Sequence, residues 1–441
     1  MHPPVDRLSP IPVGASPRRF SRRTFLQTSA AAAACGPLIA PSHLFGADAP
    51  SNRIHVACIG MGWMGPQNCG DFLNQSDCRV VAVCDVDAHH LQRAKQQVDG
   101  RYGNNDCAAY REFERIMERP DIDAVMIAVP DHWHAIPAIA AAKAGKDIYG
   151  EKPLGHTLRE GRAICDAVER YGRVWQTGSW QRSQQNFRQA AQAVRNGRIG
   201  TVRRIEVGLL SGTYGRVDET VRQPPDHLDY DRWLGPAPWA PYAVARVHVN
   251  WRWMMDYAGG QLMDWVGHHV DIAHWGMGWD ETGPYEVSAS GDFLTQGLWD
   301  VPVRYRVTAK YAGDVEMIVA GGHADIQGGT RWIGDDGWVH CDRGRLEASR
   351  PDVFEEQPGR DEVQLYSSPG HIREFLDCVK TRGTPLAPVE AAHRCASVGQ
   401  LGLIAMQLGR TLHWNPETET IADDPVANRM LGKTYRAPWI L

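Results

Sequence analysis

Ile54-His55-Val56-Ala57-Cys58-Ile59-Gly60-Met61-Gly62-Trp63-Met64-Gly65 is the stretch whose reading decides the fold. Its first six residues are a short, mostly apolar run with β-branched positions. They lead directly into G-x-G-x-x-G, after which the pattern turns helical. Each glycine then has a physical reason. Gly60 permits the tight turn, Gly62 lets a pyrophosphate approach the backbone, and Gly65 lets the helix pack close to the strand, with the phosphates at the positive helix end. Trp63 and Met64, in the same loop, are expected beside the dinucleotide. A second apolar strand, Val80–Cys84, ends in Asp85, about 20 residues beyond the glycines, where a carboxylate accepts hydrogen bonds from ribose hydroxyls. A glycine turn without a ligand explains the turn but not Asp85. Val86 and Asp87 follow, with no Arg to pair a 2′-phosphate, so NAD is expected over NADP.

Downstream, strands and helices alternate. Ala88 to Val98 and Tyr110 to Glu118 read as helical and Ala124 to Val129 as a buried strand. Pro130-Asp131-His132-Trp133-His134 then falls at the carboxyl end of that strand, where such sheets bind ligands. Ile136 to Ala144 is an Ala-rich helix, Asp147 to Gly150 a strand, and Glu151-Lys152-Pro153 follows at its carboxyl end. Helix Leu158 to Tyr171 and strand Val174 to Gly178 complete a parallel, doubly wound α/β sheet. Pro130, His134, Glu151 and Lys152 therefore join the expected cofactor-binding set; His132 and His134 are placed to line the nicotinamide side, with a turn histidine that only bonds backbone nearly as good a reading.

The second half changes character. Val202 to Leu210, Val287 to Phe293, Val301 to Tyr311, Val315 to Ala320, Thr330 to Ile333, Trp338 to Cys341 and Val363 to Tyr366 are strand-like and joined by Gly and Asp turns. They predict an α+β domain with an open, mostly antiparallel sheet covered by helices on one face. Two late helices, Ile372 to Arg382 and Val389 to Leu408, are expected to pack back, and the tail from Trp414 to wrap the surface. The organisation is then a leader at 1–50, a dinucleotide domain at 51–178, a substrate and oligomerisation domain at 179–410, and a tail at 411–441.

A length of 441 residues with 43% hydrophobic and 22% charged residues suits two folded domains. Residues 1–49 hold five Arg against two Asp, so the remainder is more acidic than the whole chain's −5 and offers no electrostatic footprint for nucleic acid. Ser21-Arg22-Arg23-Thr24-Phe25-Leu26 has the twin-arginine form, Ala30 to Ala34 open an apolar segment, and Ala47-Asp48-Ala49 offers a cleavage site. Export by the twin-arginine machinery to the periplasm is expected. Gly36, Pro37 and Pro41 argue against a membrane span, and lipidation at Cys35 lacks the usual upstream Leu. Because that pathway carries folded proteins, the cofactor is expected to leave the cytoplasm tightly bound. The cysteines occur singly, without C-x-x-C, and read as buried small hydrophobes.

The glycine fingerprint, Pro130 to His134 and Glu151-Lys152-Pro153 together resemble the Gfo/Idh/MocA oxidoreductases, from about Arg53 onward. Gly197-Arg198-Ile199-Gly200 entering a strand, and Asp264 with His268, add to the match. The resemblance implies a Rossmann domain followed by an open sheet that serves in homo-oligomer contacts. The leader, the doubled histidine and the ending Tyr435-Arg436-Ala437-Pro438-Trp439 resemble an exported branch, which weakens any transfer of substrate.

The chemistry is read from Gly260 to Trp275. In a helix, Asp264, His268, Asp271 and Trp275 lie at i, i+4, i+7 and i+11 on one face. Taking hydride from a carbinol carbon requires the hydroxyl proton to leave as well, and an imidazole near pKa 6.5 is a suitable acceptor. His268 is the expected general base, Asp264 the residue that orients it or bonds a substrate hydroxyl, and Lys152 the cation beside the developing alkoxide. The family resemblance implies the same roles for these three. The bland alternative is a solvated polar helix face. Trp180, Arg182, Trp253 and His269 are the candidate substrate contacts, flat rings suiting sugar faces and polar groups suiting hydroxyls. The spacing of Asp264, His268, His269 and His227 does not demand a metal, and none is expected. Three functions fit: hydride transfer between a secondary hydroxyl of a sugar, glycoside or cyclitol and nicotinamide; glycosidic cleavage through transient oxidation, elimination, water addition and reduction; and non-catalytic sugar binding on the same scaffold.

Overall fold

The computed structural model describes residues 53–213, 217–354 and 359–441. The twin-arginine segment with Arg22 and Arg23, Cys35 and the rest of 1–50 lie outside them. The first half alternates β1 (Ile54–Ile59), α1 (Met64–Leu73), β2 (Cys78–Cys84), α2 (Ala88–Tyr102), β3 (Ala108–Tyr110), α3 (Glu114–Met117), β4 (Ala124–Ile127), α4 (Ala135–Lys143), β5 (Asp147–Gly150), α5 (Leu158–Arg170) and β6 (Trp175–Thr177). The six strands pair in parallel in the order β3-β2-β1-β4-β5-β6. β4 and β5 are buried at every residue, as strands covered on both faces must be. Strand order reverses between β1 and β4, which opens a crevice at the carboxyl ends of the strands. Local chemistry sets the helix ends that face it. Asp87 caps α2 by accepting the backbone N–H groups of His89 and His90, and Thr157 with Glu160 forms a reciprocal capping box on α5.

The second half contains α6 (Gln185–Arg195), β7 (Val202–Leu209), α7 (Tyr230–Leu234), α8 (Gly260–Met277), β8 (Glu286–Phe293), β9 (Pro302–Tyr311), β10 (Val315–Gly321), β11 (Gly329–Gly334), β12 (Gly337–Asp342) and β13 (Arg345–Ala348). It ends with α9 (His371–Thr381), α10 (Val389–Leu408), β14 (Leu412–Asn415), β15 (Thr420–Ile421) and α11 (Pro425–Met430). Nine strands form one sheet in the order β13-β12-β11-β7-β10-β9-β8-β14-β15, antiparallel except for the β7–β10 pair. Alternation along β9 buries Tyr305, Val307 and Ala309 and turns Arg304 and Lys310 outward. The buried face meets α6, α8 and α10 around Val266, Val270, Trp332 and Leu401. Each fully buried large side chain of this kind contributes about 1.5–3 kcal/mol. α9 returns to the first sheet, where Phe375 packs edge-on against Phe72 and Tyr149.

The architecture is thus the expected doubly wound sheet plus a mostly antiparallel one, with local departures. Tyr110 to Glu118 is not one helix: Tyr110 ends the edge strand β3, paired with Cys84, and only Glu114–Met117 turns helical. Val363 to Tyr366 is not a strand. Its backbone is satisfied by side chains of the end of α6, with Val363 N–H donating to Asn196 and Leu365 N–H to Gln192. The tail does not merely wrap the surface, since Trp414 is buried and β14 extends the large sheet beside β8. α6 carries Phe187, Ala190, Ala191 and Val194 inward, a helical repeat the sequence reading passed over.

Candidate active site

A cavity of about 620 Å³ fills the crevice beyond β1, β2, β4 and β5. Among the residues expected to hold a dinucleotide, Gly60, Gly62, Trp63, Met64, Asp85, Pro130, His134, Glu151 and Lys152 all line it. Gly65 does not; a Cβ there would stand 2.0 Å from the Gly60 carbonyl oxygen, so it serves the close approach of α1 to the turn. Gly60 has φ +85° and a Cβ on it would stand 2.5 Å from the Ala128 oxygen. At Gly62 the nearest atoms are 3.9 Å away, on His90, which leaves the backbone open toward the cavity. This is the cradle a pyrophosphate needs, and the residues fit the cofactor. The Asp85 carboxylate accepts the backbone N–H groups of Met61 and Asp87, at 2.6 and 2.8 Å, which fixes it at the rim beside the glycine turn. His134 spans the carbonyls of Pro153 and Val129, and burial pushes its pKa down to about 4. Neutral, it has one N–H and donates to one of these two carbonyls while packing against the other. Glu151 is buried, its pKa raised by that burial, and accepts from the Asn68 amide at 2.8 Å.

At the far end, α8 meets β5. Lys152 donates to the Asp264 carboxylate at 3.0 Å and to its backbone oxygen at 2.7 Å. Arg252 donates to the same carboxylate oxygen at 3.3 Å. Burial opposes the charge on Asp264, but Lys152 and Arg252 outweigh it and hold the pKa well below the usual carboxylate range. One turn on, His268 has its Nδ1 at 3.1 Å from the Ser179 oxygen, so that nitrogen carries the proton and Nε2 keeps its lone pair. Burial, followed by the charges of Lys152 and Arg343, pushes the His268 pKa well below 6.5. The imidazole is neutral at physiological pH. Unlike Lys152 and Asp264, it does not line the 620 Å³ cavity but stands behind that pair.

Two residues given no role in the sequence reading belong to this cluster. Gly267 brings α8 against Lys152, since a Cβ at 267 would lie 2.9 Å from the Lys152 Cβ. Asp131 lines the cavity while buried, and among the described residues its carboxyl takes no hydrogen bond. Burial first and the Asp264 charge second push its pKa up to about 8. Asp131 and Asp264 therefore hold opposite protonation states at neutral pH, the signature of an environment that separates acid from anion. A glycine preceding the histidine and an acid within the Pro130 to His134 turn were the available signals.

The expected substrate contacts fall elsewhere. Arg182 is 1% exposed and forms a bidentate pair with Asp271 and a second with Asp280, with Trp275 at 5.5 Å. It holds α8 in the core and does not reach the cavity. The lower half of the polar stripe, Asp271 and Trp275, is spent on that arginine. Trp180 has φ +64° and lies 5.2 Å from the ring of His371. Trp253 packs against Trp299, leaving its neighbours Trp251 and Arg252 to line the cavity. His269 is buried under Trp265 with Asp342 at 3.5 Å, on the sheet side of α8. These four side chains are placed by packing partners distant in sequence, which residue type alone does not reveal.

A glycine-turn dinucleotide cradle ending at a lysine–carboxylate pair defines a dinucleotide-binding protein of the two-domain oxidoreductase class. The chain belongs to the GFO_IDH_MocA family: residues 54–179 match "Oxidoreductase family, NAD-binding Rossmann fold" and residues 186–441 match "Oxidoreductase family, C-terminal alpha/beta domain". It is 25% identical over 242 residues to the myo-inositol 2-dehydrogenase of Thermotoga maritima, a stretch covering 55% of this chain and 59% of that one. It is 32% identical over 171 residues to a glycosyl hydrolase family 109 protein of Saccharopolyspora erythraea, covering 34% of this chain and 37% of the relative. Less than two thirds of either relative is therefore spanned. In fold, it is similar to the WlbA dehydrogenase from Bordetella pertussis, a structure in complex with NADH and UDP-GlcNAcA, with a TM-score of 0.61, 16% identity, and coverage of 82% of this chain and 99% of that one.

Proposed function

We propose that the chain is an exported NAD-dependent oxidoreductase that moves a hydride between a secondary hydroxyl of a sugar, glycoside or cyclitol and a tightly held nicotinamide. The observation that carries the reading is the Lys152–Asp264 contact at 3.0 Å on the cavity wall, with a neutral imidazole one helical turn behind it. When bound, NAD supplies the carbon that accepts or returns the hydride; everything else falls to side chains. Lys152 presents an ammonium to the oxygen that gains charge as the hydroxyl proton leaves. His268, with Nδ1 held by the Ser179 carbonyl, keeps Nε2 as the proton acceptor behind that pair, reached by the proton through a relaying water because the ring does not line the cavity. Asp264 anchors the lysine until substrate arrives and is free to accept from a neighbouring hydroxyl. Asp131 is the carboxylic acid of the site, able to donate a hydrogen bond at neutral pH.

A panel of sugars and cyclitols, followed by absorbance of reduced nicotinamide in single turnover, tests this. No reduction with any member, by protein shown by mass spectrometry to carry NAD, would sink it. The similarity to a glycosyl hydrolase family 109 protein favours a second reading, glycosidic cleavage by transient oxidation. Sustained aglycone release from an aryl glycoside without added NAD would select it. Export by the twin-arginine pathway rests on Arg22 and Arg23. Loss of periplasmic protein on R22K/R23K substitution is its test. Homo-oligomer formation through the outward face of the nine-stranded sheet, where Arg304 and Lys310 are exposed, is tested by light scattering.

A further inference from the structure

We propose that Asp87, His90 and His248, which all line the dinucleotide cavity, bind a divalent transition-metal ion of the zinc type on its wall, tying the His248–Trp253 segment to the head of α2. The three residues come from both halves of the chain, and one ligand atom from each lies within 4.8 Å of the others. A tetrahedral ion with bonds of about 2.1 Å spaces its ligands by about 3.4 Å, so modest side-chain rotation closes the set. Carboxylate oxygen and imidazole nitrogen are the donors such an ion takes.

Asp87 is buried, and its Oδ1 is committed to capping α2 through the N–H groups of His89 and His90. Its Oδ2 lies 3.9 Å from the His248 ring and 3.7 Å from the His227 ring. Among the described residues, Asp87 forms ion pairs with histidines alone. A buried carboxylate wants a cation. His248 holds φ +55°, a backbone state unusual for a residue with a side chain, and its ring meets His90 edge-on at 5.2 Å with planes 64° apart. His90 Nδ1 is 3.6 Å from Asp85 Oδ2, the histidine–carboxylate pairing that orients a ligating imidazole.

The same aspartate faces a second histidine pair, His89 and His227. Those rings are stacked at 4.0 Å with planes 17° apart, a face-to-face contact that already gives each imidazole a partner. The unstacked pair, on the strained His248, is the one assigned to the ion. The consequence follows from what His248 leads into. Arg252, four residues on, lies over Trp63 at 5.0 Å and Trp251 at 4.4 Å, which lays the segment over the glycine turn. An ion at its start fixes the other end.

The test uses the full chain, stripped with chelator and titrated with zinc chloride by calorimetry, without dinucleotide, so its outcome is independent of the proposed reaction. The expected result is saturable uptake of a single zinc per chain, with cobalt substitution giving the visible bands of a low-coordinate ion. H248A and D87N should each weaken uptake by at least about 100-fold, more than losing an orienting partner costs, while H227A leaves it intact. Circular dichroism of H248A guards against unfolding, and H90A supplies a further ligand variant. Absence of saturable uptake, uptake that survives H248A, or uptake lost in H227A but kept in H248A overturns the site. Zinc should also slow the release of bound NADH, followed by its fluorescence, by about tenfold or more in the unsubstituted chain and not in H248A. Binding without slowing overturns the tie.

Discussion

Replacing Arg182 by leucine separates a structural arginine from a substrate-binding one. Its side chain is 1% exposed and that of Asp271 is 4% exposed, while Asp280, at 30%, reaches water. Removing the guanidinium strands Asp271 in the core, and breaking a buried pair from one side costs about 3–5 kcal/mol. Burial already raises the Asp271 pKa, with Arg182 pulling it back, so without the arginine the carboxyl takes up a proton. Its folded pKa then stands above the unfolded value of about 3.9, and the folded state binds more protons than the unfolded one. Stability therefore falls as pH rises through that window, and the deficit of R182L grows as pH rises above the unfolded value of about 3.9. Unfolding entropy is about 2.1 cal/mol/K per residue. A folded unit spanning Arg53–Leu441 therefore loses about 1.2 °C of Tm per kcal/mol, about 4–6 °C in all. Melting by circular dichroism at pH 5 and pH 8 reads the effect, and adding D271L should recover most of it, since an apolar replacement of both partners leaves no buried charge. An unchanged Tm with a raised KM for substrate would refute the reasoning and return Arg182 to the binding site.

K152M should lower kcat by about 10²–10³ with little change in Tm, the scale of losing one preorganised charge-stabilising group, read by steady-state kinetics. G267A places a methyl 2.9 Å from the Lys152 Cβ and should lower kcat through displacement of the amine, with the helix itself intact by circular dichroism. The acid limb of kcat/KM should fall well below pH 6.5, because burial and then the Lys152 charge keep His268 deprotonated; a limb at the ordinary histidine pKa would count against the assignment. Asp131 holds a proton up to about pH 8 in the folded state, and its unfolded pKa is near 3.9, so it lowers stability as pH rises between the two. D131N should therefore flatten the fall of Tm with pH, removing a slope of up to about 1.4 kcal/mol per pH unit.

What was legible in the chain is what depends on neighbours in sequence. The glycine turn is such a case, because Gly60 and Gly65 are required by atoms of the same βαβ unit. Lys152 and Asp264, which meet at 3.0 Å, are each placed by a local pattern, a turn at a strand end and a helical repeat, but their contact with one another is not. Val389–Leu408 was bounded because Pro388 opens it and Gly409 closes it. Periodicity also put Asp264, His268, Asp271 and Trp275 on one face of α8 but could not say what stands opposite. The first turn meets Lys152, whereas the third meets Arg182, a residue type that suits a sugar ligand but that two carboxylates hold in the core. Val363 to Tyr366 has strand residues without a strand, because its backbone is bonded by Asn196 and Gln192 from a helix far back in the chain. α6 was the avoidable miss, since Phe187, Ala190, Ala191 and Val194 already showed the repeat.

The charge states assembled around Lys152 explain why a proton should leave at this place. Lys152 and Arg252 share a single ionised partner, Asp264. Of the groups nearby, burial keeps His134 and His268 neutral, burial and the Asp264 charge hold the proton on Asp131, and burial moves the Glu151 pKa upward. Two cations against one anion leave about one positive charge in a largely desolvated corner, which an oxyanion satisfies and a neutral hydroxyl does not. The preference is built in before substrate enters, so no reorganisation is required when the hydroxyl ionises. A neutral imidazole behind the pair has a free nitrogen for the proton, and the Lys152 charge that lowers its basicity is offset as the oxyanion forms. Lys152 must let go of one oxygen of Asp264 to meet the substrate, and that exchange of one anion for another costs little because Arg252 keeps the aspartate paired. R252M should therefore do more than weaken binding: with its second cation gone, Asp264 holds Lys152 more firmly, and kcat should fall together with kcat/KM. A rise in KM alone, at unchanged kcat, would show that the arginine only contacts ligand and that the shared-charge account of the site is wrong.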